Sequence, residues 1–145
     1  MSDHRDRGLT HVALPSADLE RSIAFYAAYA DMRVVHRRVD AHGGAVAWLS
    51  DLTRPFVIVL IQVAAVEGGL RGACCHLGIG VASRAEVDRR CAQARAEGRP
   101  VIGPTDAGYP VGYWAYVADP DGHNLELSFG QEVGFAVESA AAPAR

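Results

Sequence analysis

Three polar residues stand in stretches that otherwise read as buried β-strands: His11 within Leu9–Leu14, His76 within Cys75–Val81 and Glu126 within Asn124–Phe129. Side chains alternate between the two faces of a strand. In the second stretch Leu77, Ile79 and Val81 form an apolar face, and His76, Gly78 and Gly80 form the other. Strand glycines mark close approach by a ligand or another backbone, so this imidazole is expected to face open space. Glu126 lies between Leu125 and Leu127, where an isolated carboxylate is costly to bury without a partner. A divalent metal ion supplies that partner if His11, His76 and Glu126 act as a two-histidine, one-carboxylate set with open coordination positions. Fe(II), Mn(II), Zn(II), Ni(II) and Co(II) all tolerate such ligands, so the identity of the metal stays open. A strand histidine met alone is an ordinary core or surface group; the recurrence of the two-faced pattern is what favours ligation.

The neighbours of these three suggest a substrate cleft. Ala13, Gly78 and Asn124 are small or polar and share faces with the proposed ligands. Trp114 has the parity of Tyr116, and the two could form an aromatic wall for a planar substrate, although a core role for Trp114 is an equal alternative. Tyr109 and Tyr113 fall in a Gly/Pro-containing segment read as a lid loop. His123 follows the Asp119-Pro120-Asp121-Gly122 turn on the face opposite Glu126 and is read as an exposed histidine. Arg33 and His36 could reach the cleft but are read as part of a solvated strand face, His42 as a hairpin-loop residue and His4 as a tail residue. Cys74 shares the parity of His76 and could line the cleft mouth, though a small buried residue is the usual case.

The elements that must position these residues repeat. Leu9–Leu14 is a strand, and Asp18 caps a helix from Leu19 with Leu19, Ile23, Tyr26 and Ala30 as its buried stripe. Met32–Val39, Ala45–Ser50 and Phe56–Val63 follow as strands. The order then restarts: strand Cys75–Val81, a helix opened by the capping box Ser83 and Glu86 and closed near Gly98, then strands at Val101–Ile102, Gly112–Ala118 and Asn124–Phe129. Setting His11 on His76, 65 residues later, brings both halves into register. The expected fold is α+β: two βαβββ modules forming a paired half-barrel around a shared metal-binding cleft. Residues 1–8 are expected as a flexible tail, 9–131 as a single domain (module one 9–66, module two 72–131) and 132–145 as a C-terminal tail.

Composition narrows the function. Half of the 145 residues are hydrophobic and 21% are charged, the balance of a globular protein. A net charge of −3 offers no footprint for nucleic acid. All 14 basic residues are arginine, so no lysine can serve as Schiff-base or general-base residue. The longest apolar run, Phe56–Ile61, is far too short to span a bilayer, and the charged N-terminus lacks a signal-peptide core. Three cysteines without CxxC spacing indicate neither a disulfide framework nor a thiolate zinc site. The expected location is the cytoplasm.

The stretches Leu9-Thr10-His11-Val12-Ala13-Leu14, Asp18 through Tyr26, His76-Leu77-Gly78-Ile79 and Tyr116 through Glu126 with its Asp-Pro-Asp-Gly turn resemble the vicinal oxygen chelate superfamily. That superfamily includes glyoxalase I, fosfomycin-resistance proteins, bleomycin-resistance proteins and extradiol dioxygenases. The resemblance implies paired βαβββ modules, a homodimer, a divalent metal on His11, His76 and Glu126, and Tyr116 as the active-site tyrosine. Glyoxalase I-like members carry a glutamate or glutamine in the fourth strand, where this chain has Val59, with Gln62 out of phase. The ring-cleaving relatives' auxiliary histidines have no match, since residues 43–75 and 77–122 contain none. The resulting expectation is a metal-dependent enzyme acting on a small substrate through vicinal oxygens, dioxygenase-like or lyase/isomerase-like rather than glyoxalase I. The alternative is a metal-free protein that sequesters a drug or metabolite, as bleomycin-resistance proteins do.

Overall fold

The computed structural model describes residues 6–144; His4 and most of the expected N-terminal tail lie outside the described residues. The chain forms two compact units, one running through Cys75 and including the turn Asp119–His123, the other comprising His76–Ala118 and the chain from Asn124.

The first unit contains β1 (His11–Ser16), α1 (Leu19–Ala30), β2 (Arg33–Val39), β3 (Ala45–Ser50) and β4 (Val57–Gln62). Its sheet has the order β1-β4-β3-β2, with β1 parallel to β4 and the remaining pairs antiparallel. The carboxylate of Asp18 accepts from the Arg21 backbone N–H at 3.1 Å, capping α1. Gln62, out of phase with the site residues, adds a second cap by accepting from the Leu19 N–H at 3.2 Å. The helix ends at Asp31, whose φ of 53° returns the chain toward β2. The buried stripe of α1 is Leu19, Ser22, Phe25, Tyr26, Tyr29 and Ala30, rotated from the expected one. Ile23 is only half-buried, whereas Ser22 is buried because its hydroxyl pairs with that of Ser16 at 2.8 Å. Phe25 and Tyr29 stack with ring centroids 4.8 Å apart, against a core that includes Leu14, Leu49, Ile58 and Leu60.

The second unit repeats this order with β5 (Leu77–Gly80), α2 (Arg84–Ala96), β6 (Val101–Asp106), β7 (Tyr113–Ala118) and β8 (Asn124–Phe129), in a sheet ordered β5-β8-β7-β6. The Ser83 side chain caps α2 by accepting from the Glu86 N–H at 3.1 Å. Glu86 does not complete a capping box; its carboxylate takes Arg89 and Arg90 instead, which hold it down at about 2. Gly98 follows the helix with a φ of +74°, as a C′ glycine should. Val87, Cys91, Ala94, Ala115, Val117, Leu125 and Leu127 make the core.

Neither sheet curls into the expected half-barrel. Each is an open, mixed four-stranded sheet flanked by a helix, with β1 and β2, or β5 and β6, as its edge strands among the described residues. Strand twist of roughly 20–25° per neighbour accumulates too little over four strands to close, and small barrels need about eight. The strand at Cys75–Val81 is also shorter than expected, His76 lying just before β5. Residues 132–145, expected as a tail, include a helix, α3 (Val133–Ala141), all of whose residues are exposed. Its three alanines, Ala136, Ala140 and Ala141, carry the highest intrinsic helix propensity. No helix among the described residues is long and apolar enough to cross a membrane.

Candidate metal centre

Strand register brings the proposed ligands of the second unit together. Gly78 of β5 pairs with Glu126 of β8, and Glu126 with Tyr116 of β7. The three share the face of the sheet opposite α2. His76, two residues before Gly78, places Nε2 at 3.3 Å from Oε2 of Glu126. Its other nitrogen, Nδ1, lies 3.1 Å from the Tyr116 hydroxyl, with the rings 5.0 Å apart. Tyr116 in turn packs on Trp114 at 4.8 Å, so the expected aromatic wall is present. Glu126 is only 5% exposed, and Gln131 approaches its Oε1 at 3.5 Å. Gly78 keeps this carboxylate reachable: a Cβ there would sit 3.8 Å from Oε1, and any longer side chain would cover it.

The donor set suits a divalent ion. Two ligand atoms about 2.1 Å from one ion, at angles between octahedral and tetrahedral, stand roughly 3.0–3.4 Å apart. The 3.3 Å separation falls in that range, and is longer than the roughly 2.7–2.9 Å of a charge-assisted hydrogen bond. Engagement of Nδ1 by Tyr116 leaves Nε2 aimed at Glu126, the orienting arrangement that metal-binding histidines use.

The first unit has the same framework with different occupants. The row across its open face is Ala13–Val59–Trp48–His36, where the second unit has Gly78–Glu126–Tyr116–Ile102. Val59 is therefore the counterpart of Glu126, and Trp48 that of Tyr116. His11, at the start of β1, stands where His76 stands in the repeat, and its Nδ1 is 2.8 Å from the Thr10 hydroxyl.

Other expected cleft residues are placed differently. Tyr113 is not in a loop; it is the first residue of β7, on the helix side, with its hydroxyl on Asp88 and Arg84 over its ring at 5.0 Å. Tyr109 remains an exposed loop residue, Asn124 begins β8, and Cys74 is exposed rather than buried.

His123 departs furthest from expectation. It is 1% exposed, because the turn Asp119–His123 is part of the first unit's interior. With Asp119 and Asp121 it forms a donor set, all within 4.8 Å, that could coordinate a metal ion. Each donor already has an internal partner, however. Nε2 of His123 donates to the Pro15 carbonyl at 2.8 Å, which fixes the tautomer, and Nδ1 accepts from the Leu70 N–H at 3.0 Å. Asp119 accepts from the Tyr26 hydroxyl at 2.9 Å and from the N–H groups of Asp121 and His123. Asp121 accepts from the Ala17 N–H and the Ser22 hydroxyl. Burial pushes the Asp119 carboxyl above its ordinary value, and burial together with Asp119 and Asp121 holds the Tyr26 phenol well above its own. The arrangement is a buried hydrogen-bonded knot. Parity alone could not reveal it, since the partners of His123 lie 53 and 108 residues away.

Gly69 packs directly on this imidazole. Its φ is +76°, and a Cβ there would overlap the His123 ring. With both ring nitrogens bonded, the ring cannot yield freely. Gly69→Ala is therefore expected to destabilise the fold by about 3 kcal/mol, combining left-handed strain with a lost buried hydrogen bond. Urea denaturation checks this; a change below about 1 kcal/mol would show that the ring moves aside cheaply.

Comparison with known proteins agrees with the repeat. Over 137 residues, covering 93% of this chain and 97% of the relative, it is 36% identical to the uncharacterized protein PA2024 of Pseudomonas aeruginosa. It is similar to the trypanothione-dependent glyoxalase I of Leishmania major, with a TM-score of 0.71 and 24% identity over 93% of this chain and 95% of that one. It is similar also to a variant of the fosfomycin resistance protein FosX from Listeria monocytogenes, complexed with Mn(II) and 1S,2S-dihydroxypropylphosphonic acid. There the TM-score is 0.69 and identity 18%, over 92% of this chain and 99% of that one. At these identities the two structures speak to the fold alone. The model of the Glyoxalase/Bleomycin resistance protein/Dioxygenase superfamily matches residues 8–127. Such a fold carries the potential for metal-dependent catalysis. The duplicated βαβββ order, the family match over most of the chain and the curated relative together place this protein in the glyoxalase/bleomycin resistance/dioxygenase, or vicinal oxygen chelate, superfamily.

Proposed function

We propose that this protein is a metalloenzyme that holds a divalent ion with His76 and Glu126 and acts on a small molecule bearing two neighbouring oxygens. The observation that carries this reading is the approach of His76 Nε2 to Glu126 Oε2 at 3.3 Å on an open sheet face, with Nδ1 turned to Tyr116. The ion when bound would supply Lewis-acid polarisation of a substrate oxygen. Tyr116 holds the plane of His76, and Trp114 extends a flat surface beside it. Gly78 and Gly80 leave the adjoining strand without bulk. Val59 offers no fourth carboxylate where the repeat would place one, so a dioxygenase-like or lyase/isomerase-like reaction is favoured over that of glyoxalase I.

The test is titration of chelator-treated protein with Mn(II), following free ion by electron paramagnetic resonance. One ion per chain is expected, with His76→Ala weakening binding by about 100-fold or more, beyond the 10–100-fold effects of outer partners. Absence of stoichiometric binding, or unchanged binding in His76→Ala with a native circular dichroism spectrum, would overturn the proposal.

A further inference from the structure

The open face of the first unit's sheet holds a cavity of about 750 Å³. That volume is ample for a drug-sized molecule. Its wall is built by the register already described. Val59 sits between Ala13 and Trp48, Ile61 beside it on β4, and Phe56 closes one end. The His36 ring rests 4.7 Å from that of Trp48 and supports it from β2. Where the second unit has the carboxylate of Glu126, this face has the isopropyl group of Val59, so its centre is apolar rather than ligating.

The charges around that wall are mostly of one sign. Arg38 and Arg54 both line the cavity, Asp6 is the one carboxylate among its lining residues, and Asp40 acts on Arg38 from the hairpin outside it. Neither guanidinium makes an ion pair among the described residues, whereas Arg37, Arg84, Arg89, Arg90 and Arg99 all do. Arg38 reaches this side because the pairing of β2 with β3 shifts register between Val34 and His36. An arginine fork recognises planar carboxylates and other oxyanions in bidentate fashion.

We infer that the first unit is a binding site for an organic anion: a molecule with a planar or branched apolar body, seated on Trp48, Val59 and Ile61, and an oxyanion head taken by Arg38 and Arg54. All of its lining residues belong to the first unit, His11 among them, and the inference does not rest on the pairing of His76 with Glu126.

The experiment uses the full chain labelled with ¹⁵N-tryptophan. Its two indole resonances are assigned with Trp114→Phe, and it is titrated with 3-phenylpropionate, 3-phenylpropan-1-ol and 3-phenylpropylamine. The acid is expected to shift the Trp48 resonance and to bind at least tenfold more tightly than the alcohol, with the amine weakest. Arg38→Gln/Arg54→Gln should bring the acid to the level of the alcohol while leaving alcohol binding intact, which shows that the wall survives. Equal binding of acid and alcohol, indifference to the arginine substitutions, or a silent Trp48 would each overturn the inference. So would a Trp48 resonance that moves with protein concentration instead of ligand, since a second copy would then cover the face. The titrations are repeated in chelator and in Glu126→Gln, where the same result is expected. Acid binding that needs Mn(II), disappears in Glu126→Gln and ignores the arginines would overturn the anion site while leaving the metal centre standing.

Discussion

Asp119→Ala is expected to lower stability by about 4 kcal/mol and the midpoint of thermal unfolding by roughly 10 °C. Three donors converge on this carboxylate: the Tyr26 hydroxyl and the N–H groups of Asp121 and His123. Alanine leaves all three in a site where Asp119 itself is 5% exposed. Each abandoned buried donor costs about 1–3 kcal/mol, and some is regained because an ionised group no longer has to be desolvated. Asp119→Asn should cost only about 1 kcal/mol, since its amide oxygen still accepts the two backbone N–H groups. The pair of variants separates hydrogen bonding from charge. Burial raises this carboxyl above its ordinary 3.8, so the folded chain holds its proton more tightly than the unfolded chain. Its contribution to stability is therefore greatest below that value and declines as pH rises through the folded one. Asp119→Asn should flatten this part of the stability–pH curve. Denaturant titrations at several acidic pH values decide the matter; an alanine variant within 1 kcal/mol of wild type would mean that water replaces the carboxylate freely.

The second large effect concerns Glu126. Saturating Mn(II), at about 100 times its dissociation constant, should stabilise the wild-type fold by about 2.7 kcal/mol. Glu126→Gln should abolish that gain and weaken Mn(II) binding by about 100-fold, because the amide keeps the shape and loses the charge. Without metal, the same substitution should leave stability unchanged or raise it, since a buried carboxylate 5% exposed becomes neutral. Thermal melts with MnCl₂ and with chelator give both readings at once. A variant that retains the metal-induced rise would remove Glu126 from the ligand set.

Much of this was legible because duplication writes the same signals twice. His11 and His76, and the helix caps Asp18 and Ser83, each recur at a spacing of 65 residues. Parity then placed Glu126, Tyr116 and Trp114 on one face, where strand pairing puts them. Parity failed wherever a distant partner or a local irregularity decided the outcome. Ser22 is buried by Ser16 and Asp121, which no helical period records. His123 lies in the turn before β8, and its burial depends on Leu70 and Pro15, which no strand alternation records. Arg38 carries no parity signal, because the register shift in β2 resets alternation beyond Val34. Sheet closure was overestimated for a different reason: alternation specifies which face is buried, not how far a sheet bends.

The contrast between Val59 and Glu126 also bears on how such a chain can change. The two occupy equivalent positions on duplicated scaffolds, and each is held by neighbours that do not depend on its chemistry. A newly copied module frees one row from its former task while the other keeps it. Here the second copy carries Glu126 and Tyr116 in that row, and the first carries Val59 and Trp48. Selection could therefore retune what is gripped by altering Trp48, Val59 or Arg38 without disturbing the residues placed for chemistry. Descendants of one ancestral duplication would then differ most in their first halves and least around His76.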